Sequence, residues 1–311
     1  MKKKLEVLFN ERFQGAQHFD DFLTCVSEAH VKKIVNRGVV TFKADPELRA
    51  YLLFLKSAVT KHLKISECSA FAYRKEFSTF DAVKIHAQGK FFFKTDLNDF
   101  FGSINSALVF DTLRSNLEMM PVADADNHIE HLSQLLLVND QLPAGFPTSP
   151  SLSNACLYRL DTAMGALCQE SGLKYSRYSD DIFVSGMDRD VVRGIPDIIV
   201  SVLNREFGER FSLNKVKSKF LHRRAKIEML GLVILPNGKI TVDKVVRQKL
   251  EVMLHFYSSN SEKFVEMNGL DVKAERKKIG GYLSHVRSVD MDYFKKIRSR
   301  YGTSLVDGMM N

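Results

Sequence analysis

Leu173-Lys174-Tyr175-Ser176-Arg177-Tyr178-Ser179-Asp180-Asp181-Ile182-Phe183-Val184-Ser185 is the stretch that decides how this chain reads. Leu173–Arg177 and Ile182–Ser185 read as two strands, and Tyr178-Ser179-Asp180-Asp181 as the tip of the hairpin they form. Two adjacent carboxylates at such a tip repel each other, and they leave water only where a cation compensates them. Neighbouring side chains of a strand point to opposite faces, so only a turn lets both carboxylates approach one site. Taken alone, an Asp-Asp pair is ordinarily a solvated turn, and Asp20-Asp21 in the same chain has no function assigned to it. The context of Asp180-Asp181 is different. A third acid, Asp96, closes another buried-looking strand, Phe91-Phe92-Phe93-Lys94-Thr95.

Three carboxylates at strand ends suit phosphoryl transfer assisted by two metal ions. Nucleotidyl transfer needs an alcohol to attack phosphorus while pyrophosphate leaves, and two Mg²⁺ ions roughly 4 Å apart serve the two ends. Mg²⁺ prefers hard oxygen ligands and shares them with substrate phosphates. Asp96, Asp180 and Asp181 are the right ligand type and number, which points to a polymerase.

Composition agrees with a nucleic-acid partner. The chain has 311 residues, 45% of them apolar, enough for two or three lobes with real cores. No apolar run approaches the ~20 residues of a membrane span, and the basic start Met1–Lys4 is not followed by a signal h-region. Cys25, Cys68, Cys156 and Cys168 form no CxxC pair, so neither a zinc site nor a disulfide framework is expected, and a reducing cytoplasm is the simplest compartment. The net charge of +8 is unevenly placed: Ser212–Asn311 carries 20 Lys and Arg against 10 Asp and Glu, the remainder 25 against 27. Clustered cations that release condensed counterions favour a polyanion, whereas a merely solubilising basic surface is the plain alternative.

Along the chain, residues 1–35 read as helical with a stripe of Phe9, Phe13, Phe19 and Phe22. Gly38–Phe42 reads as a strand. Asp45-Pro46 starts a helix running through Val59, with a capping Asp and Pro at the first position. A loop of aromatics and cations covers Phe71–Phe80. Helices are expected over Ile104–Leu117, Ile129–Val138, Ser151–Cys168 and Asp190–Phe207, the last broken near Gly194. Pro236-Asn237-Gly238 between Met229–Leu235 and Lys239–Val242 signals a second hairpin. Asp243–Tyr301 reads as three or four basic amphipathic helices. Asp124, Asp126, His128 and His131 match no metal motif and read as an acidic loop entering a helix.

Five segments in one order carry a resemblance. Asp96-Leu97-Asn98-Asp99-Phe100-Phe101-Gly102-Ser103-Ile104 resembles the first catalytic motif of reverse transcriptases. Leu142-Pro143-Ala144-Gly145-Phe146-Pro147-Thr148-Ser149-Pro150 with Leu152-Ser153-Asn154 resembles their nucleotide and template motif, and Tyr178–Asp181 their YxDD box. Leu213-Asn214-Lys215-Val216-Lys217-Ser218 is similar to the lysine motif that follows, and Met229–Ile234 to the primer-grip hairpin. Small size and the pattern Gly280-Gly281-Tyr282-Leu283-Ser284 through Tyr301-Gly302 resemble the retron enzymes of bacteria in particular. Two departures stand out: Ala144 occupies the place of the usual Gln, and Asp81–His86 is a lengthened form of a retron element, from which only His86 is carried over.

The resemblance implies an α+β right-hand polymerase with an antiparallel palm sheet. Fingers would cover 1–90, palm 91–235 with a fingers insertion around 107–150, and a helical RNA-binding thumb 236–311. It implies Asp96, Asp180, Asp181 and the Leu97 carbonyl as ligands of two Mg²⁺ ions, and Lys217 as a cation near the pyrophosphate. Phe101 becomes the steric gate, and Ala144, Gly145, Tyr178 and Arg37 line the nucleotide. His86, Arg74, Arg276, Lys277, Lys278 and Arg287 would contact RNA. The implied function is a retron enzyme that copies a cognate structured non-coding RNA from dNTPs. Its product would be a branched RNA–DNA hybrid, msDNA, in anti-phage defence, with an effector protein encoded nearby and no membrane partner. Two alternatives stand beside it: an abortive-infection type of enzyme with untemplated synthesis, and a non-catalytic RNA-binding scaffold of the same fold.

Overall fold

The computed structural model describes residues 2–36, 38–259 and 272–310, so Arg37 lies outside the described residues. The chain folds into two compact units, Met1–Ser78 with Phe92–Phe220, and Thr79–Phe91 with Leu221–Asn311. These boundaries differ from the three expected lobes, because residues 79–91 group with the C-terminal third.

The first unit opens on an aromatic cluster. Helices Leu5–Phe13, Phe19–Thr24 and Pro46–Ala58 bring the Phe9 ring to 5.2 Å from Phe22 and 5.4 Å from Phe54. Asp45 accepts the Leu48 N–H at 2.9 Å and Pro46 takes the first helical position, as the sequence predicts. The expected helical stretch to residue 35 ends early. Val31–Asn36 (β1) pairs antiparallel with Val39–Ala44 (β2), from Val31 opposite Ala44 to Asn36 opposite Val39. β-Branched Ile34 and Val35 face Thr41 and Val40, and Gly38 supplies a φ of 81° at the turn.

The sheet that positions the site holds Phe91–Asp96 (β3), Lys174–Tyr178 (β4), Asp181–Gly186 (β5) and Lys219–His222 (β6), in the order β4-β5-β3-β6. β4 and β5 are the expected hairpin, antiparallel from Lys174 opposite Ser185 to Tyr178 opposite Asp181. The predicted helix Ser151–Cys168 is two helices, Ser149–Cys156 and Tyr158–Glu170, because Leu157 at φ −94°, ψ 11° leaves helical geometry. Helix Tyr158–Glu170 packs against β4 and against helix Ile195–Phe207.

In the second unit the predicted hairpin gains a strand: Ile227–Met229 (β7), Leu232–Ile234 (β8) and Ile240–Val242 (β9) form an antiparallel sheet. Helices Lys244–Ser259, Val272–Val289, Met291–Tyr301 and Thr303–Gly308 follow. Leu250, Leu254, Ile279, Leu283, Val286, Phe294 and Ile297 are buried among them. Among the described residues no helix is long and apolar enough to cross a membrane.

Candidate active site

Main-chain hydrogen bonds draw three distant segments together. Leu97 N–H donates to the Asp180 carbonyl at 3.1 Å, and Asn214 N–H donates to the Asp96 carbonyl at 2.8 Å. The end of β3, the tip of the β4–β5 hairpin and the 212–218 loop therefore meet at one place. Tyr178 pairs with Asp181, which leaves Ser179 and Asp180 as the two turn residues. Ser179 has φ 60°, left-handed backbone that costs a non-glycine residue roughly 1–2 kcal/mol. The turn is what brings Asp180 and Asp181 to the same site as Asp96.

Charge is concentrated there. Asp96 is only 5% exposed, and Asp180 and Asp181 are half-buried. Burial, with the negative charges of Asp180 and Asp96, pushes the Asp181 carboxyl up to about 6, against the pull of Lys217 and Lys94. Lys217 Nζ donates to Asp96 Oδ2 at 2.7 Å, and that hydrogen bond raises the lysine pKa. Asn214 accepts the Val216 and Lys217 N–H groups at 3.2 and 3.3 Å, which shapes the loop that delivers the lysine. Asp96 Oδ1 is buried without a hydrogen-bond partner among the described residues.

A buried acceptor without a donor, an aspartate whose charge is disfavoured, and an all-oxygen donor set fit a hard divalent cation. Among the described residues no three His, Cys, Asp or Glu side chains are already grouped closely enough to hold an ion by themselves. The carboxylates neighbour one another without forming a cage. Such an arrangement suits an ion that completes its shell with water and substrate phosphates.

The remaining expected residues fall at different places. Leu97 has a buried side chain and can offer only its main chain. Phe101 is half-buried and lies edge-on to Phe100, centroids 5.1 Å apart. Phe42 N–H donates to the Ala144 carbonyl at 2.8 Å, so the loop carrying Ala144 and Gly145 docks on β2. Gly145 sits at φ 112°, and a Cβ there would overlap the Phe42 carbonyl. Tyr178 is half-buried at the end of β4.

Several expected RNA contacts are engaged within the fold. His86 is fully buried, so contact with RNA through that side chain is not open to it, a correction its sequence position did not foretell. Arg74 donates to the Glu67 and Ala70 carbonyls at 2.8 and 3.1 Å and stacks 4.1 Å over Phe77. Arg276 donates to the Gly308 carbonyl at 2.8 Å, Lys278 pairs with Glu275 at 2.9 Å, and Arg287 lies 5.9 Å over Phe294. Lys277 is exposed. Asp124 accepts the Leu5 N–H at 2.7 Å and His131 hydrogen-bonds the Phe22 carbonyl at 2.9 Å, both structural roles.

Sequence reasoning missed a buried polar group beneath the turn. Arg177 and Asp161 are both fully buried and paired at 2.6 Å. The available signal was the period of β4: Tyr175 and Arg177 share one face, and an inward arginine requires a partner.

The profile of the family described as "Reverse transcriptase (RNA-dependent DNA polymerase)" matches residues 46–234. Curated relatives include the Retron Ec83 reverse transcriptase of Escherichia coli, 23% identical with 93% of this chain and 92% of the relative covered. The Retron Ec73 reverse transcriptase of the same organism is 26% identical, covering 75% of this chain and 73% of the relative. Among solved structures, Candida tropicalis telomerase in complex with a fragment of telomeric RNA aligns at TM-score 0.51 and 14% identity, over 90% of this chain and 56% of that one. The chain thus spans little more than half the length of that telomerase, and the likeness bears on the fold alone, the right-hand polymerase. With the match over residues 46–234 and the geometry of Asp96, Asp180 and Asp181, the chain belongs to the reverse transcriptases, the RNA-dependent DNA polymerases, and is of the bacterial retron type.

Proposed function

We propose that this enzyme copies part of a cognate structured RNA into DNA from dNTPs at Asp96, Asp180 and Asp181, with two Mg²⁺ ions. The observation that carries this reading is the buried, unpartnered Oδ1 of Asp96 beside the acids of the YxDD turn. Reverse transcriptases work with divalent ions, and Mg²⁺ is the choice that an all-oxygen donor set favours. Asp96, Asp180, Asp181 and the Leu97 carbonyl would hold the ions. When bound, these lower the pKa of the attacking hydroxyl and offset charge on the leaving pyrophosphate.

The chain's own groups orient the rest. Lys217, anchored on Asp96 yet 67% exposed, places a cation where charge develops on the departing phosphates. Phe101 lies under the sugar and excludes a 2′-OH. The main chain at Ala144 and Gly145 and the Tyr178 ring line the nucleotide. In this reading the fingers are residues 1–90, the palm 91–235 and the thumb 236–311, with Arg276, Lys277, Lys278 and Arg287 on the RNA side.

The retron relatives support a finer reading. The primer is a 2′-OH of the cognate RNA, the product is branched msDNA, and the setting is anti-phage defence in the cytoplasm with an effector encoded nearby. Sequencing the nucleic acid that copurifies with the protein tests it. One DNA covalently branched from one RNA is expected; random or homopolymeric DNA overturns it. Asp180→Asn with Asp181→Asn tests the site itself: DNA synthesis is expected to vanish while RNA binding persists.

A further inference from the structure

The Arg177 guanidinium sits directly beneath the catalytic turn and is completely buried. Its Nε donates to Asp161 Oδ1 at 2.9 Å and its Nη2 to Asp161 Oδ2 at 2.6 Å, a two-point fork. Nη1 uses its two hydrogens differently. One goes to Asn154 Oδ1 at 3.1 Å, the other to the Ser179 carbonyl at 2.8 Å. The partners are themselves fixed. Tyr175 Oη donates to Asp161 Oδ1 at 2.9 Å, and Asn154 Nδ2 donates to the Ala72 carbonyl at 2.7 Å. On the other side of the turn the Tyr73 and Ser179 hydroxyls are 2.9 Å apart.

The Ser179 carbonyl belongs to the peptide that leads into Asp180. That peptide follows a residue with φ 60°, a conformation the turn would leave if nothing held it. A buried ion pair is seldom the most stabilising way to fill such a space, since apolar side chains of similar volume do as well or better. What the guanidinium adds is direction: a planar fork locked on Asp161 has its remaining donors aimed along fixed lines. One of those lines ends on the peptide next to the metal-binding carboxylates.

We propose that Arg177, clamped by Asp161 and Asn154, is a positioning residue that sets the orientation of Asp180 and Asp181 through the Ser179 carbonyl. This rests on reading the three aspartates as the catalytic site. Arg177 touches neither nucleotide nor metal, so its removal acts on the geometry of the reacting groups. It lowers turnover and weakens the response to divalent ion, and it leaves nucleotide affinity alone.

The test is steady-state extension of an oligodeoxythymidylate primer on polyriboadenylate by the full chain, with thermal melting to confirm folding. Arg177→Lys keeps the charge but cannot fork Asp161 and reach Ser179 together. At least a tenfold fall in kcat is expected, with the KM for dTTP within twofold and a higher Mg²⁺ concentration at half-maximal rate. Wild-type kcat in a folded Arg177→Lys protein overturns the proposal. So does a rise in KM alone. If Arg177→Lys does not fold, Asn154→Ala leaves the Arg177–Asp161 fork intact. It should lose about threefold in kcat at unchanged KM, and an unchanged kcat overturns the proposal there too. The Asp180→Asn/Asp181→Asn protein separates the two readings. If that variant still synthesises DNA, the site assignment fails; if it is inactive while Arg177→Lys is normal, only the role of Arg177 fails.

Discussion

At Asp181 the requirements of folding and of chemistry oppose each other. Its pKa, pushed up to about 6 from the ordinary 3.8, means that the folded protein holds the proton more tightly than the unfolded chain does. The stability that protonation contributes is complete below 3.8 and is lost as pH rises through about 6. At pH 8, with divalent ions chelated, the fold carries a charge beside Asp180 and Asp96 that Lys217 and Lys94 offset only in part. Asp181→Asn removes that charge and should raise the Tm by a few degrees at pH 8. The advantage should fade as pH falls through 6 towards 4, where the native acid takes up its proton. Melting curves across that range in EDTA decide it, and equal Tm values at pH 8 would contradict the burial and repulsion assigned to this carboxyl. Phe101 is tested by discrimination rather than stability. Phe101→Ala should raise ribonucleotide incorporation relative to deoxynucleotide, and an unchanged ratio in competition assays removes it as the gate.

Two glycines show how elements carry the site. A Cβ at Gly145 would overlap the main-chain carbonyl of Phe42, and its φ of 112° disfavours any side chain. A Cβ at Gly102 would meet the Asp99 carboxylate, which can swing aside. Gly145→Ala should therefore undock the 142–150 loop from β2, cutting activity by at least tenfold and speeding hydrogen exchange at the Phe42 amide. Gly102→Ala should be milder on both measures. If the two behave alike, the docking of that loop is not what matters. At this scale the sequence was legible where the pattern is local. The β4–β5 hairpin, the Asp45 cap and the break near Gly194 follow from turn and capping chemistry within a few residues. It was illegible where partners are remote. Val31–Asn36 is a strand because β2 pairs with it, and Leu157 interrupts a stretch whose apolar spacing looks continuous. Asp96, Asp180, Asp181 and Lys217 could be recognised because motif order marks them. Arg177 could not be paired with Asp161, since nothing in a strand names its partner on the preceding helix.

For the molecule as a whole, the excess of positive charge in residues 212–311 is the main polyanion signal, and the structure divides those cations into two kinds. Lys278, Arg298 and Arg300 are matched by Glu275, Asp307 and Glu251 at 2.9, 2.8 and 3.1 Å. Exposed pairs of this sort contribute little to stability, and each acid offsets most of the field its partner presents to a polyanion. Lys277, Lys295 and Lys296 are exposed and make no ion pair among the described residues. Counterion release counts cations that actually neutralise phosphates. Binding of a structured RNA should therefore weaken linearly in log K against log salt. Replacing Lys277, Lys295 and Lys296 together by Gln should reduce that slope by about 2–3, one unit or slightly less for each lost phosphate contact. Replacing Lys278, Arg298 and Arg300 together should change it by less, because their charges are already answered within the fold. Filter binding of the full chain between low and moderate salt measures both slopes. Equal losses from the two triple variants would mean the ion pairs open on binding, and no loss from the first would move the RNA to another face of the protein.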